Sequence, residues 1–179
     1  MKKTVIFVVM LPFMLCLCTC GRLPEPPKID YIKMLSDAAY SGDIELGEQI
    51  EALMAQYDKE RMIDFSALCL LSRYMRYAYD GGGDSDKLRL YAGEVVLNRT
   101  ENALYPDTVE EVISQMGYDV DEILKTQPRK TDIKNAVSLL QGERGMKSSV
   151  VNISDTPPDK PYAVFCDSLR GNVYFSEDA

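Results

Sequence analysis

Apolar residues recur every three or four positions over most of the chain, which is the spacing of one face of an α-helix. The strongest example is the segment 88–99, whose apolar face is formed by Leu88, Tyr91, Ala92, Val95 and Val96. We predict a central buried helix here, in which Gly93 lets a neighbouring element come close because it has no side chain. The β-branched pair Val95 and Val96 favours a strand instead, but a strand does not explain the helical spacing upstream.

Five further segments combine this spacing with polar residues that suit helix ends. Asp43 and Asp64 are each placed to cap the helix that follows them. Either Asp107 or Thr108 can cap a later helix, and Gly142 suits a helix stop. The predicted helices cover residues 29–40, 44–59, 65–78, 109–115 and 131–141, with one additional helical turn at 120–124.

The pattern changes after residue 142. The segments 150–153, 162–166 and 172–175 are short, rich in β-branched and aromatic residues, and divided by turn residues. They predict a small antiparallel sheet. The fold class is therefore α+β, mainly helical, with the strands at the C-terminal end.

The N-terminal segment has the layout of a bacterial export signal, with two lysines ahead of an apolar run from 5 to 17. Its end, Leu17-Cys18-Thr19-Cys20, resembles the bacterial lipobox, in which cleavage precedes a cysteine that is then lipidated. We predict a signal peptide at 1–20, lipidation of Cys20, and an extracytoplasmic protein held to the cell membrane by its lipid. An uncleaved membrane anchor is the alternative, although thirteen apolar residues are short for a span.

A proline-rich spacer at 21–28 follows the signal and would hold the remaining chain off the membrane. We divide that remainder into an N-terminal helical extension, 29–62, and a main domain, 63–179. Two cysteines, Cys69 and Cys166, remain after the signal. A disulfide between them and two buried free thiols are both open, because sequence separation gives no geometric information.

Charge and composition exclude several classes of function. The chain has 20 Lys and Arg against 28 Asp and Glu, a net charge of −8, and no cationic cluster, which argues against a nucleic-acid partner. It has no histidine, which excludes Ser-His and Cys-His nucleophilic machinery and zinc sites that contain histidine. Any acid–base chemistry must come from carboxylates.

The glycine-rich loop 80–86 contains three aspartates and only one polar side chain besides them. A phosphate-binding loop needs a lysine and hydrogen-bond donors, so its charge excludes that use. Calcium is the better metal candidate because carboxylates are its ligands, but the spacing matches no calcium-binding loop. We predict neither a metal nor a cofactor.

Several motifs, in order, resemble the bacterial cell-wall hydrolases of the spore-cortex-lytic (SleB-type) family, over about residues 64–179. The matching segments are 70–73 (LLSR), 91–99 (YAGEVVLNR), 105–113 (YPDTVEEVI), Gln115 with Tyr118, 139–142 (LLQG) and 173–175 (VYF). The VLNR and YPDTV motifs at this spacing are the most specific. The resemblance implies a lysozyme-like domain that cleaves peptidoglycan glycan strands as a lytic transglycosylase.

In this family, as the resemblance implies, one buried glutamate near the end of the 65–78 helix acts first as acid and then as base. Counting forward from the LLSR motif, that position is Ala78, which has no proton to give; counting back from Asn98 and Arg99, it is Asp80. We favour Ala78, with an insertion in the glycine-rich loop. Asp80 remains a candidate acid if the loop folds back, and Glu94 is a third, for which a solvated or paired role is more ordinary.

By the same resemblance, the candidate binding residues are Asn98, Arg99, Gln115 and Tyr118, although the first two also suit a structural role in bracing the following loop. The missing glutamate favours a lipoprotein that binds glycan, or a protein partner, with lost or weakened catalysis. An active hydrolase that uses Asp80 is the alternative. An envelope lipoprotein with no glycan affinity is a third hypothesis that no motif excludes.

Overall fold

A computed structural model describes residues 29–79 and 85–177. The predicted signal peptide, lipidation residue Cys20, spacer and candidate acid Asp80 lie outside the described residues. The helices are α1 (Tyr31–Ser41), α2 (Ile44–Tyr57), α3 (Phe65–Ala78), α4 (Ser85–Thr100), α5 (Val109–Gln115), α6 (Val120–Leu124) and α7 (Lys130–Leu140), with a 3-10 turn at Lys59–Arg61. The strands are β1 (Val150–Ser154), β2 (Ala163–Asp167) and β3 (Gly171–Glu177).

These elements confirm the predicted α+β class, with helices first and a small antiparallel sheet at the C-terminal end. The caps act as the sequence indicates: Asp43 and Asp64 accept backbone N–H bonds from Leu46 and Ala67 at 3.1 and 2.9 Å. Of the two candidates before α5, Thr108 is the residue whose side chain caps the helix.

Helix α4 is the centre of the fold, with α3, α5, α7 and β1 packed around it. Gly93 permits the close approach that the sequence predicts. A Cβ atom there would lie 2.6 Å from Met75 Sδ of α3 and 2.9 Å from Leu139 Cδ1 of α7. Polar side chains of this helix are also buried, among them Arg89, Glu94 and Asn98, so α4 is enclosed on more than its apolar face.

The sheet has the order β1-β3-β2, with both neighbouring pairs antiparallel. An aromatic cluster fixes it against α4. The ring of Tyr91 meets those of Phe165 and Phe175 edge-on, with centroids 5.0 and 5.8 Å apart. This packing orients the loops at the ends of the strands relative to the C-terminal end of α4.

The N-terminal helices pack on the rest of the described chain. Leu35, Ala38 and Ala39 of α1 are fully buried in the same core cluster as α3, α4 and α7. The Arg73 guanidinium of α3 donates to the carbonyl oxygen of Ala39 at 3.3 Å. Residues 29–62 therefore share one continuous core with the residues that follow them.

Both described cysteines are free thiols, Cys69 buried and Cys166 exposed, so the disulfide alternative is not observed. Burial raises the pKa of the Cys69 thiol. Within residues 29–79 and 85–177, no helix has the length and apolar character needed to cross a membrane.

Candidate functional site

A cleft of about 280 Å³ opens where the C-terminal ends of α3, α4 and α5 meet the end of β1 and the turn before β3. Its lining consists of Tyr79, Arg99, Gln115, Met116, Tyr118, Ile153, Ser154, Asp155 and Arg170. The structure therefore brings together three predicted binding residues, Arg99, Gln115 and Tyr118, which come from separate parts of the chain. Of these, Gln115 is exposed and the other two are half-buried.

Arg99 is held in place as well as presented to the cleft. Its Nε donates to the carbonyl oxygen of Val151 at 2.7 Å, and its Nη2 approaches Oδ1 of Asn152 at 3.5 Å. The guanidinium also lies over the ring of Tyr105, 4.8 Å from the centroid, which braces the loop after α4. Arg99 therefore braces the loop after α4 and also lines the cleft, while its predicted role in binding stays a prediction.

Asn98, the fourth residue predicted to bind, does not line the cleft. Its side chain is buried, and its Nδ2 donates to the carbonyl oxygens of Lys147 and Val150 at 3.0 and 2.9 Å. These contacts connect α4 to the beginning of β1. Asn98 therefore braces a segment about fifty residues away rather than the loop that follows α4.

Two tyrosine rings of α3 pack against Tyr118, which lines the cleft. Tyr118 meets Tyr74 edge-on with centroids 5.1 Å apart, and Tyr77 at 6.4 Å. Burial, with a further contribution from Tyr118, raises the pKa values of Tyr74 and Tyr79. Both hydroxyls therefore stay protonated at neutral pH and are able to donate hydrogen bonds.

Sequence reasoning missed Tyr79, Asp155 and Arg170 as lining residues. Arg170 lies over the ring of Tyr79, 5.2 Å from its centroid. The position of Tyr79, immediately after the expected glutamate position, was a signal that could have identified it. Asp155 and Arg170 lie in connections beside β1 and β3, and only the strand order brings those connections to the end of α3.

The expected position of the catalytic glutamate is Ala78, the last residue of α3, which is 2% exposed and directly precedes Tyr79. A general acid that works near neutral pH needs a carboxyl group whose pKa is raised by burial. The carboxylate that lines the described part of the cleft is Asp155, which is exposed. The described lining thus offers hydrogen-bond donors and no buried carboxyl group.

Glu94 is buried and paired. Its Oε2 accepts hydrogen bonds from the backbone N–H groups of Gly145 and Met146, at 2.9 and 2.7 Å, and the residue is 1% exposed. It anchors the segment between α7 and β1 and does not line the cleft. The more ordinary of its two sequence-based interpretations, a paired structural carboxylate, matches this geometry.

A larger groove of about 780 Å³ lies between α2 and the N-terminal ends of α3 and α5. Apolar and acidic side chains line it, and it contains none of the binding residues proposed from the sequence. Among residues 29–79 and 85–177, no group of three or more Cys, Asp or Glu side chains is arranged to hold a metal ion.

Comparison of the chain with protein-family models, with curated proteins and with solved structures gives no match. The resemblance to spore-cortex-lytic hydrolases therefore depends on the sequence motifs alone.

Proposed function

We propose that this protein is a membrane-anchored, extracytoplasmic lipoprotein with a peptidoglycan-hydrolase-like domain that binds cell-wall glycan and has lost or weakened catalysis. One observation supports this most directly. Arg99, Gln115 and Tyr118, selected because of the motif resemblance, line one cleft with Tyr79, next to the expected position of the missing acid.

The chemistry of the lining suits a saccharide. Sugars present hydroxyl and acetamido groups, which need both donors and acceptors, and ring faces that pack on apolar surfaces. Gln115 supplies an amide donor and acceptor, and the hydroxyls of Tyr118 and Ser154 do both. Met116 and Ile153 add apolar surface to the lining.

Lost catalysis is proposed because the single-carboxyl mechanism has no proton donor at Ala78. An alanine cannot protonate the glycosidic oxygen or remove a proton from the sugar hydroxyl. An active enzyme would require Asp80, whose side chain is one methylene shorter than that of glutamate. A displacement of about 1 Å can reduce a rate on the order of a hundredfold, so even a suitably folded loop would give weak activity.

Sedimentation with insoluble peptidoglycan tests the binding function. The full chain in mild detergent should sediment with the polymer, and Gln115→Ala should reduce the bound fraction. Gln56→Ala, another exposed glutamine on the surface of the described chain, is the matched control and should bind as the wild type does. Wild-type protein that stays in the supernatant would contradict the proposal and favour an envelope protein without glycan affinity.

Mass spectrometry of the released muropeptides tests the catalytic part. We expect no anhydro-sugar ends above the level of a protein-free control. If such ends form and Asp80→Asn abolishes them, the protein is an active transglycosylase and the binding-only proposal is wrong.

The lipid anchor is tested by fractionation. Wild-type protein should partition with the cell membrane, and Cys20→Ser should release it or leave it as an uncleaved precursor of higher mass. Identical partition and mass of the two proteins would contradict lipidation at this cysteine.

A further inference from the structure

The described lining of the cleft carries more positive than negative charge, in contrast to the chain as a whole. The chain carries a net charge of −8, whereas the described lining contains two arginines, Arg99 and Arg170, and one carboxylate, Asp155. Positive charge concentrated in one part of an acidic protein attracts a negatively charged ligand to that part. The composition of the lining therefore indicates an anionic group on whatever occupies the cleft.

Both guanidinium groups retain capacity for such a group. The hydrogen bonds of Arg99 use its Nε and Nη2 and go to a carbonyl and an amide oxygen, so no carboxylate in residues 29–79 or 85–177 neutralises its charge. Arg170 stacks over Tyr79 and also interacts with the hydroxyl of Tyr118 and with the charge of Asp155, but within the described residues no Asp or Glu lies at ion-pair distance from it. A guanidinium group presents its remaining donors in a planar fork that matches a carboxylate.

The size of the cleft restricts the ligand further. A volume of about 280 Å³ is just below the range for small-ligand pockets, roughly 300–1,000 Å³. It suits one sugar ring with a short acidic substituent. A stem peptide joined to that substituent would convert its carboxylate into a neutral amide, which the two arginines attract less strongly.

We propose that the cleft selects glycan strands whose muramyl residues carry a free lactyl carboxylate, that is, strands from which the stem peptides have been removed. This inference rests on the proposed glycan-binding function and specifies which chemical form of the glycan strand is bound. Arg170 is the specificity-determining residue, because it contacts the carboxylate while the amide and hydroxyl groups contact the sugar. An amidase reaction, which cleaves the bond between lactyl group and peptide with water, must supply such strands.

The test compares two ligands on the same sugar backbone. Full-length protein in detergent is titrated with a peptide-free muramyl tetrasaccharide and with the same tetrasaccharide after conversion of its carboxylates to methylamides. We expect the acidic form to bind about tenfold more tightly at low salt, with the difference reduced at high salt.

Arg170→Gln should abolish the difference in affinity between the two tetrasaccharides, and Arg170→Lys should retain part of it. Lys134→Gln, an exposed cation on α7, is the matched control and should leave both affinities unchanged.

The outcomes separate this inference from the function it rests on. Equal affinity for the two tetrasaccharides, unaffected by Arg170→Gln, would overturn the selectivity and leave glycan binding intact. An equal loss for both ligands in Arg170→Gln would also overturn it, because the arginine would then be a general contact. Failure of both ligands to bind would overturn both proposals. Because Arg170 is exposed, a circular dichroism spectrum like that of the wild type is expected for each variant.

Discussion

Arg89 and Asp132 form a buried ion pair that joins α4 to α7. Nε of Arg89 donates to Oδ1 of Asp132 at 3.1 Å, and each side chain is 1% exposed. Nη1 of Arg89 also donates to the carbonyl oxygen of Tyr79 at 3.0 Å, while Oδ2 of Asp132 accepts from the backbone N–H of Arg129 at 2.9 Å. The pair thus connects the beginning of α7 to a residue that lines the cleft.

Asp132→Ala should lower the free energy of unfolding by about 3 kcal/mol, the lower part of the range for removing one partner of a buried pair. Asp86 still contacts Arg89 in this variant, which limits the loss. Urea denaturation measures the change. The control is Glu122→Ala, which removes the exposed partner of Lys125 and should change stability by about 1 kcal/mol or less. Equal losses in the two variants would show that the buried Arg89–Asp132 pair contributes no more to the free energy of unfolding than the exposed Lys125–Glu122 pair.

Glu94→Ala should also destabilise the protein, by about 3 kcal/mol, because the backbone N–H groups of Gly145 and Met146 lose a charged acceptor. Glu94→Gln keeps an acceptor oxygen and should lose less. Thermal denaturation of both variants checks the order. If Glu94→Ala instead has wild-type stability and abolishes a measurable glycan cleavage, the carboxylate is a catalytic acid.

Gly93→Ala should reduce stability by about 1 kcal/mol. Overpacking against Met75 and Leu139 costs roughly 1–3 kcal/mol, and alanine gains about 1 kcal/mol in helix propensity over glycine. A cost in the middle of that range leaves the predicted net loss. Adding Met75→Ala makes room for the new methyl group, so the double variant should lose less than the sum of the single changes. Additive losses, measured by urea denaturation, would show that the methyl group does not meet Met75.

The helices were predictable because their determinants are local. Asp64 and the apolar spacing after it predict α3 with the limits that the structure has, and the same holds for α5 after the Tyr-Pro turn. The largest difference is in α4, which begins at Ser85, three residues before its predicted start, whereas α1 begins two residues later and α2 ends two residues earlier than predicted. The sequence at the start of α4 consists of Ser85, Asp86 and Lys87, polar residues that carry no apolar periodicity.

The cleft was only partly predictable because its determinants are non-local. The motifs indicated Arg99, Gln115 and Tyr118, but Arg170 reaches them through the β1-β3-β2 strand order. An alternation of apolar and polar residues predicts strands and does not fix their order. For the same reason Asn98 was assigned to binding, since its partners lie 49 and 52 residues further along the chain.

Stability should fall in alkaline solution because burial, reinforced by Tyr118, raises the pKa of Tyr79 in the folded protein. An unfolded tyrosine ionises near pH 10, so the native state holds a proton that the unfolded state releases. The stabilisation is complete below about pH 10 and is lost as the pH rises through the folded pKa. The melting temperature should therefore decrease as the pH rises above about 10, with a shallower decrease in Tyr79→Phe.

The control for this pH dependence is Tyr57→Phe, a tyrosine that is 66% exposed and should leave the slope unchanged. Both variants are best made in a Cys69→Ala background, because burial also raises the pKa of that thiol and adds a parallel alkaline effect. Equal slopes for Tyr79→Phe and the background would contradict the role assigned to the buried hydroxyl.

Ala78→Glu tests whether the cleft retains the remainder of an active site. The new carboxyl group would enter a position that is 2% exposed, where burial raises the pKa of a carboxylic acid and keeps it protonated as a general acid requires. We expect anhydro-sugar ends to appear when this variant is incubated with glycan strands, measured by mass spectrometry.

Ala78→Gln is the matched control, since it has nearly the same shape and no proton to transfer. Both should be less stable than the wild type, by about 1–3 kcal/mol, because each buries a polar group without a partner. If Ala78→Glu folds as Ala78→Gln does and releases no product, the catalytic inference from the motif register is wrong, whereas product from both variants would place the acid elsewhere in the chain.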